Sequence, residues 1–379
     1  MIDTVVLIAQ PTNFRIFAGN KFTPPYDPRS TGRFLRHVQN PTKEDFLNGI
    51  YRPRLTLNRR PTASGFALTL KIECSLPKLL FGNNFDELMV QDLPLVIKTL
   101  GTRLREMGVW MTKEELLSCH VTAIHYSKNI VMTDGTTSSM LVNAIRKAQV
   151  PPKLELNEKE YRDSGYCIRW HANSYEVVFY DKKADLQKAK TTEKGRVEKD
   201  NLIQLSLFSD LKESVPFEVF RIEVRLTVSK MKRLAEELAI SREYTLESLF
   251  NKEQKKKVLM HFWHLAESNI LYIPGDADKI EPLIELTKLT FPKVRSGKVI
   301  EIAATALLLQ QTSPQHCKHI VNALSSKRQW YRYKGYLSKL SKPLGNLALA
   351  IVKKQLTAFS PTNIKQYPQL DMYTKVNYS

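Results

Sequence analysis

Between residues 302 and 370 the chain has no aspartate or glutamate, yet Lys318, Lys327, Arg328, Arg332, Lys334, Lys339, Lys342, Lys353, Lys354 and Lys365 fall in the same stretch. A surface chosen only for solubility mixes both signs, so this absence excludes an ordinary solvated face and predicts a polyanionic partner. Cysteine is scarce and scattered, and Cys74, Cys119, Cys167 and Cys317 form no close pair. That spacing excludes a zinc or redox motif and predicts four reduced, mostly buried thiols. No apolar run approaches the ~20 residues of a membrane span, and the short apolar stretch 5–9 has no basic region before it. A cytoplasmic protein with no membrane partner is the expectation. No internal repeat or long low-complexity tract is present, which leaves no ground for a repeat architecture.

What the chain does have is length and positive charge. Its 379 residues can bury a large core in two or three domains. The net charge of +19 and the sequence pI near 9.6 are the electrostatic footprint of a polyanion binder. Up to about residue 228, short alternating segments at 4–8, 66–74, 120–124, 166–170, 175–180 and 217–228 predict strands, and 86–107 and 138–147 predict helices. The fold class this implies is α+β, an antiparallel sheet covered by helices. Asn173 and Ser174 suit the turn of a hairpin between the fourth and fifth strands. The lysine-rich stretch 182–200 reads as an exposed helix and loop.

After residue 228 the pattern is helical, at 229–240, 245–268 and 277–290. A break at 292–297 precedes a helix at 298–311, a second at 315–324 started by Ser313 and Pro314, and a third from 326 to about 340 capped by Ser325. The expected organisation is an α+β domain over 1–235, a helical connection over 236–296 and a basic all-helical domain over 297–379.

Chemistry-bearing residues gather at three strands. Residues 175–180 end in Tyr180, which is followed by Lys182 and Lys183. A tyrosine with a lysine three residues on is the nucleophile pattern of enzymes that nick DNA covalently. The strand at 121–125 ends in His125, and the strand at 220–226 carries a single carboxylate, Glu223. A phenol with a pKa of ~10 is a poor nucleophile near neutral pH. A divalent metal ion, Mg²⁺ or Mn²⁺, held by His125 and Glu223 would polarise a phosphate, while Lys183 or Lys182 would offset charge on the oxygens. Each residue also has an ordinary reading. Tyr180 can be a packed strand tyrosine, Glu223 a surface ion pair with Arg221 or Arg225, and His125 a hydrogen-bonded core histidine. Tyr175 is an alternative nucleophile at the wrong end of the hairpin. His120, at odd spacing from His125, is expected on the opposite face. His261 and His264 read as core packing beside Phe262 and Trp263, and His316 with His319 lacks the further ligands zinc needs.

The chain resembles the gene II replication proteins of filamentous bacteriophages and their prophage relatives, which are rolling-circle initiator endonucleases. It shares the opening Met1-Ile2-Asp3 and the segment from Ser75 through Lys78, Leu80, Gly82 and Asn84 to Phe85. It also shares the strand ending in Tyr180 and the strand with Arg221 and Glu223. Where the family has Arg-Ile-Asp, this chain has Ala123-Ile124-His125. A histidine there is a sensible ligand but adds no negative charge. The resemblance implies a nickase-type α+β domain and a 5′-phosphotyrosine intermediate. It also implies action at a double-stranded origin and on the single strand in a bacterial host, whose helicase and polymerase extend the freed 3′-hydroxyl.

The third helix of the basic region interleaves Lys327, Arg328, Trp330, Tyr331, Arg332 and Lys334 without an acid. After a short helix and turn, this is the composition of a helix-turn-helix that contacts phosphates and guanine edges. The competing reading is an amphipathic helix whose aromatics pack inward. A non-catalytic helix-turn-helix regulator of phage replication is the alternative function for the whole chain.

Overall fold

The computed structural model describes residues 1–28, 35–62, 65–133, 135–151, 154–160, 166–182, 184–185, 218–271, 273, 279–341 and 347–363. Their centre is a nine-stranded sheet. From edge to edge its strands are β3 (Arg36–Gln39), β4 (Arg54–Thr62), β5 (Gly65–Ser75), β1 (Ile2–Ala9), β7 (His120–Met132), β11 (Glu218–Thr227), β10 (Tyr175–Asp181), β9 (Tyr166–Ala172) and β8 (Glu155–Glu160). Every neighbouring pair is antiparallel. A separate two-stranded pair joins β2 (Arg15–Ile16) to β6 (Val109–Trp110).

Twelve helices are present among the described residues. They are α1 (Lys43–Leu47), α2 (Leu76–Phe81), α3 (Leu93–Glu106), α4 (Lys113–Leu117), α5 (Ser138–Arg146), α6 (Val228–Leu238), α7 (Lys252–Glu267), α8 (Glu281–Thr290), α9 (Ser296–Gln311), α10 (Pro314–Leu324), α11 (Lys327–Leu340) and α12 (Leu347–Ala358). The mixed architecture with a large antiparallel sheet is the one the alternating segments imply. None of the described helices is long and apolar enough to cross a membrane.

Strand alternation makes one face of the sheet apolar. Val5, Ile124, Tyr126, Val224, Val177 and Phe179 point there and are buried, and α5, α6, α7 and α12 pack against the strands that carry them. A second core forms from Leu271 to Leu340, with Ile302, Leu309, Val321, Trp330 and Leu337 at its centre. The chain then returns, because Leu349, Val352 and Leu356 of α12 belong to the first core. The cores therefore change near residues 267–271 and 340–349. The composition shift at 228 marks the end of the strands, but α6 and α7 still bury Leu234, Phe262 and Trp263 with the sheet. The Lys147 ammonium ties the two regions together by donating to the carbonyls of Leu309, Gln310 and Thr312, at the carboxy end of α9.

Several elements differ from the sequence expectation for identifiable reasons. The histidine strand does not stop at His125. It runs to Met132, because Lys128 and Asn129, which break the apolar alternation, are satisfied inside the protein. Lys128 donates to the Glu87 carboxylate at 2.6 Å and to the Thr362 hydroxyl at 2.8 Å, and Glu87 also accepts the backbone N–H groups of Asn129 and Thr362. The helix expected from 86 starts only at Leu93, since Asn83 accepts the N–H groups of Phe85 and Asp86 and Glu87 is engaged with Lys128. Asn251 caps α7, and so shortens it from the expected start at 245, by accepting from Gln254 N. Ser326, not Ser325, is the N-cap of α11, without a side-chain bond. Most of the stretch 182–200 lies outside the described residues.

Candidate active site

The registers of the central strands bring the three expected side chains together. Directly opposed residues share a face of an antiparallel sheet. Tyr180 of β10 faces Arg221 of β11, Val178 faces Glu223, and Arg225 faces His125 of β7. All of these side chains project from the face opposite α5, α6, α7 and α12. There Tyr180, His125, Glu223 and Lys182 line one cleft of about 310 Å³. Tyr175 falls on the other face, where its ring meets Phe262 at 5.7 Å, so it is not a competitor for this cleft.

The Tyr180 hydroxyl donates to Glu223 Oε2 at 3.2 Å, and His125 Nδ1 stands 3.6 Å from Glu223 Oε1. Glu223 is 4% exposed and Tyr180 7%. Glu223 is ion-paired as the ordinary reading expects, but in the interior. Arg225 Nε reaches Oε1 at 2.8 Å and Arg221 Nε lies 3.6 Å from Oε2. Burial pushes the Glu223 pKa up, but Arg225, then Arg221 and His125, outweigh it and hold the carboxyl well below the usual carboxylate range. Burial raises the Tyr180 phenol well above 10, with Arg221 opposing. Burial also lowers the His125 pKa, against the pull of Glu223, which favours the neutral imidazole a metal requires.

Asp3 is the participant that alternation hides. The even positions of β1, Thr4, Val6 and Ile8, face away from the core formed by Val5, Leu7 and Ala9, which would send Asp3 inward with the odd positions. The pairing of β1 with β7 slips between Ile2 and Thr4, and this bulge turns the Asp3 carboxylate into the cleft. One ligand atom each from Asp3, His125 and Glu223 lies within 4.8 Å of the others. Two carboxylates and one imidazole suit Mn²⁺ or Mg²⁺ by donor type, and Asp3 supplies the second negative charge that His125 does not. The signal available in the sequence was the shared opening Met1-Ile2-Asp3. A second slip, between Val6 and Leu7, corrects the expectation for His120. Thr4 pairs with His125 and Ile8 with His120, so both rings share a face, about four residues or ~13 Å apart.

Of the two expected lysines, Lys182 lies in the cleft, 2% exposed, with its ammonium 6.0 Å from the centre of the Tyr180 ring. Burial, reinforced by Arg221, lowers its pKa to about 7. Lys183 lies outside the described residues. The Ser75–Phe85 segment also reaches the site, since Lys78 and Asn84 line the same cleft. Lys78 is carried on α2, which has Pro77 in its first turn and is capped at its carboxy end by Gly82, whose positive φ of 73° lets its N–H donate to Lys78 O. A neighbouring pocket of about 490 Å³ shares Asp3, Thr4, Glu73, Lys78 and Asn84 and adds Arg52 and Arg54.

The basic helix α11 divides its residues cleanly. Trp330, expected at a nucleic-acid surface, is 1% exposed and sits in the second core, as does Tyr333, whose hydroxyl donates to Glu301 at 2.6 Å. Helical spacing puts both on the inner face. Arg328, Tyr331, Arg332 and Lys339 form the exposed stripe, Tyr331 being 63% exposed, and Lys334 is half-buried. Lys327 begins the helix, but its side chain is outside the described residues.

Comparison of the chain with protein-family models, curated proteins and solved structures finds no match.

Proposed function

We propose that this chain nicks one DNA strand at an origin through Tyr180 and later rejoins it, as an initiator of rolling-circle replication resembling the gene II proteins of filamentous phages. The observation that carries the reading is the meeting, in one cleft, of a strand tyrosine, three groups able to ligate a cation and a buried lysine. Asp3, His125 and Glu223 would hold a Mg²⁺ or Mn²⁺ ion, which when bound supplies Lewis-acid polarisation of a phosphoryl oxygen. Glu223 orients the Tyr180 hydroxyl through its Oε2, and because Arg225 and Arg221 keep it ionised it is too weak a base to retain the proton. Lys182 takes that proton as the bond from the tyrosine oxygen to phosphorus forms. It returns the proton to O3′ as the phosphorus–O3′ bond breaks. The 5′-phosphate stays on Tyr180, and the 3′-hydroxyl is left for a host polymerase working with a host helicase. Attack by a 3′-hydroxyl in the reverse direction rejoins the strand. Metal-dependent nicking of supercoiled DNA tests this reading. A chain that only shifts the DNA in a gel would instead be the non-catalytic regulator.

The pKa of about 7 at Lys182 gives this scheme a pH signature. Its neutral fraction grows tenfold per pH unit below the pKa, so single-turnover adduct formation should rise by about that factor per unit up to pH ~7 and then level off. In Lys182→Met the rate should be low with that inflection gone. An unchanged profile in the variant assigns the proton transfer to another group.

The stripe on α11 supports a duplex-binding role for the carboxy-terminal helices. Each phosphate neutralised on duplex DNA steepens the logarithmic salt dependence of binding by ~0.9. Arg328→Ala with Arg332→Ala should therefore weaken duplex binding and flatten that slope by up to ~1.8, leaving cleavage of a single-stranded oligonucleotide intact. A full slope in the double variant removes this helix from the interface.

A further inference from the structure

The charges around the cation cluster cancel before any ion enters. Arg221 Nη2 lies 3.2 Å from Asp3 Oδ2 and its Nε 3.6 Å from Glu223 Oε2. Arg225 holds Glu223 on the other side and also meets Glu176 at 3.1 Å, and Arg169 approaches Glu176 at 3.8 Å. The carboxylates Asp3, Glu223 and Glu176 are thus matched in number by the guanidiniums Arg221, Arg225 and Arg169, and the other charged residues that line the cleft also match, Glu73 and Asp185 against Lys78 and Lys182. A divalent ion seated among Asp3, His125 and Glu223 would leave a buried surplus of positive charge, which is costly away from water.

Arg221 is placed from behind. Its Nη1 donates to Asn129 Oδ1 at 3.0 Å and to the Asn84 carbonyl at 2.8 Å. Its Nε and Nη2, though buried, make no aligned hydrogen bond. They face the two carboxylates at charge-pairing distance only, so Asp3 and Glu223 can turn toward an ion without forfeiting a good bond to Arg221.

We propose that Arg221 is a positioning residue and internal counter-cation that keeps Asp3 and Glu223 convergent in the empty cleft and makes divalent-ion binding depend on a phosphodiester entering with it. The inference rests on the metal-assisted reading above and adds its energetic order. The ion alone meets a neutral cluster and binds weakly. A phosphate anion restores the balance, so ion and strand strengthen one another by the same factor. Such a cleft stays free of metal until the strand to be cut is in place.

The test is Mn²⁺ binding to the full chain, read from the loss of the free-ion EPR signal, with and without a random-sequence single-stranded oligonucleotide, after subtracting Mn²⁺ bound by the oligonucleotide alone. In the wild type the oligonucleotide should tighten Mn²⁺ binding by about tenfold or more. Without nucleic acid, Arg221→Gln should bind Mn²⁺ about tenfold more tightly than the wild type and show little further gain from the strand. Should that buried substitution prevent folding, Arg225→Gln, at a partly exposed position, should shift Mn²⁺ affinity in the same direction. Equal Mn²⁺ affinity with and without the strand, or no tightening in the folded variants, overturns the coupling while leaving the metal reading standing. Absence of Mn²⁺ binding in every state overturns both.

Discussion

Tyr180→Phe is expected to lower covalent protein–DNA adduct formation by at least about 10⁴-fold, the scale seen when a covalent nucleophile is removed. Binding of the same oligonucleotide should stay within a few-fold of wild type. The ring keeps its packing against Cys167 and Val178, and only the hydroxyl is lost. Glu223 keeps the Arg225 hydrogen bond on Oε1, but Oε2 loses its hydrogen bond from the phenol and keeps only the Arg221 charge at 3.6 Å, so the fold should lose about 1–3 kcal/mol. Tyr175→Phe provides the contrast, because its ring lies on the helix-covered face against Phe262 and should leave adduct formation unchanged. If the Tyr180 variant kept the adduct and the Tyr175 variant lost it, the nucleophile would be misassigned.

The second large effect is expected at Glu223, the carboxylate on which hydroxyl, imidazole and two guanidiniums converge. Glu223→Gln keeps the shape but removes the charge that compensates Arg221 and Arg225. Breaking a buried ion pair from one side typically costs about 3–5 kcal/mol. Denaturant unfolding should therefore show a loss near that size, with the lower end favoured because Arg225 is partly exposed. Divalent-ion binding should fall at the same time, since an amide is a poor ligand for a hard cation. A folded Glu223→Gln protein with wild-type Mn²⁺ affinity would remove Glu223 from the ligand set.

Much of this site was legible because strands announce themselves by alternation. The tyrosine and glutamate strands match their observed spans to within one residue and the histidine strand matches at its start only, and their antiparallel pairing is what joins Tyr180, His125 and Glu223. Asp3 is not legible from alternation, because its entry depends on a one-residue slip against β7, and period-2 reasoning fails wherever a bulge inserts a residue. Arg221 looked like half of a surface ion pair because its spacing from Glu223 shows the shared face but not the depth at which it lies. The extension of the histidine strand through Lys128 and Asn129 was hidden, since their partners Glu87 and Thr362 are remote in sequence. The return of α12 to the first core was hidden for the same reason. On α11 the composition announced a basic aromatic helix, but only packing against the second core separates buried Trp330 from exposed Tyr331.

The account stands or falls on which atom carries the cut strand. Full-length protein incubated with Mn²⁺ and a 5′-labelled and a 3′-labelled single-stranded oligonucleotide, then denatured and digested with protease, would yield an adducted peptide for mass mapping. The prediction is a phosphodiester on Tyr180, formed only on the fragment that carries the 5′-phosphate, with the other fragment ending in a 3′-hydroxyl. A free 5′-phosphate with no peptide attached, or an adduct mapped to any other residue, would contradict it.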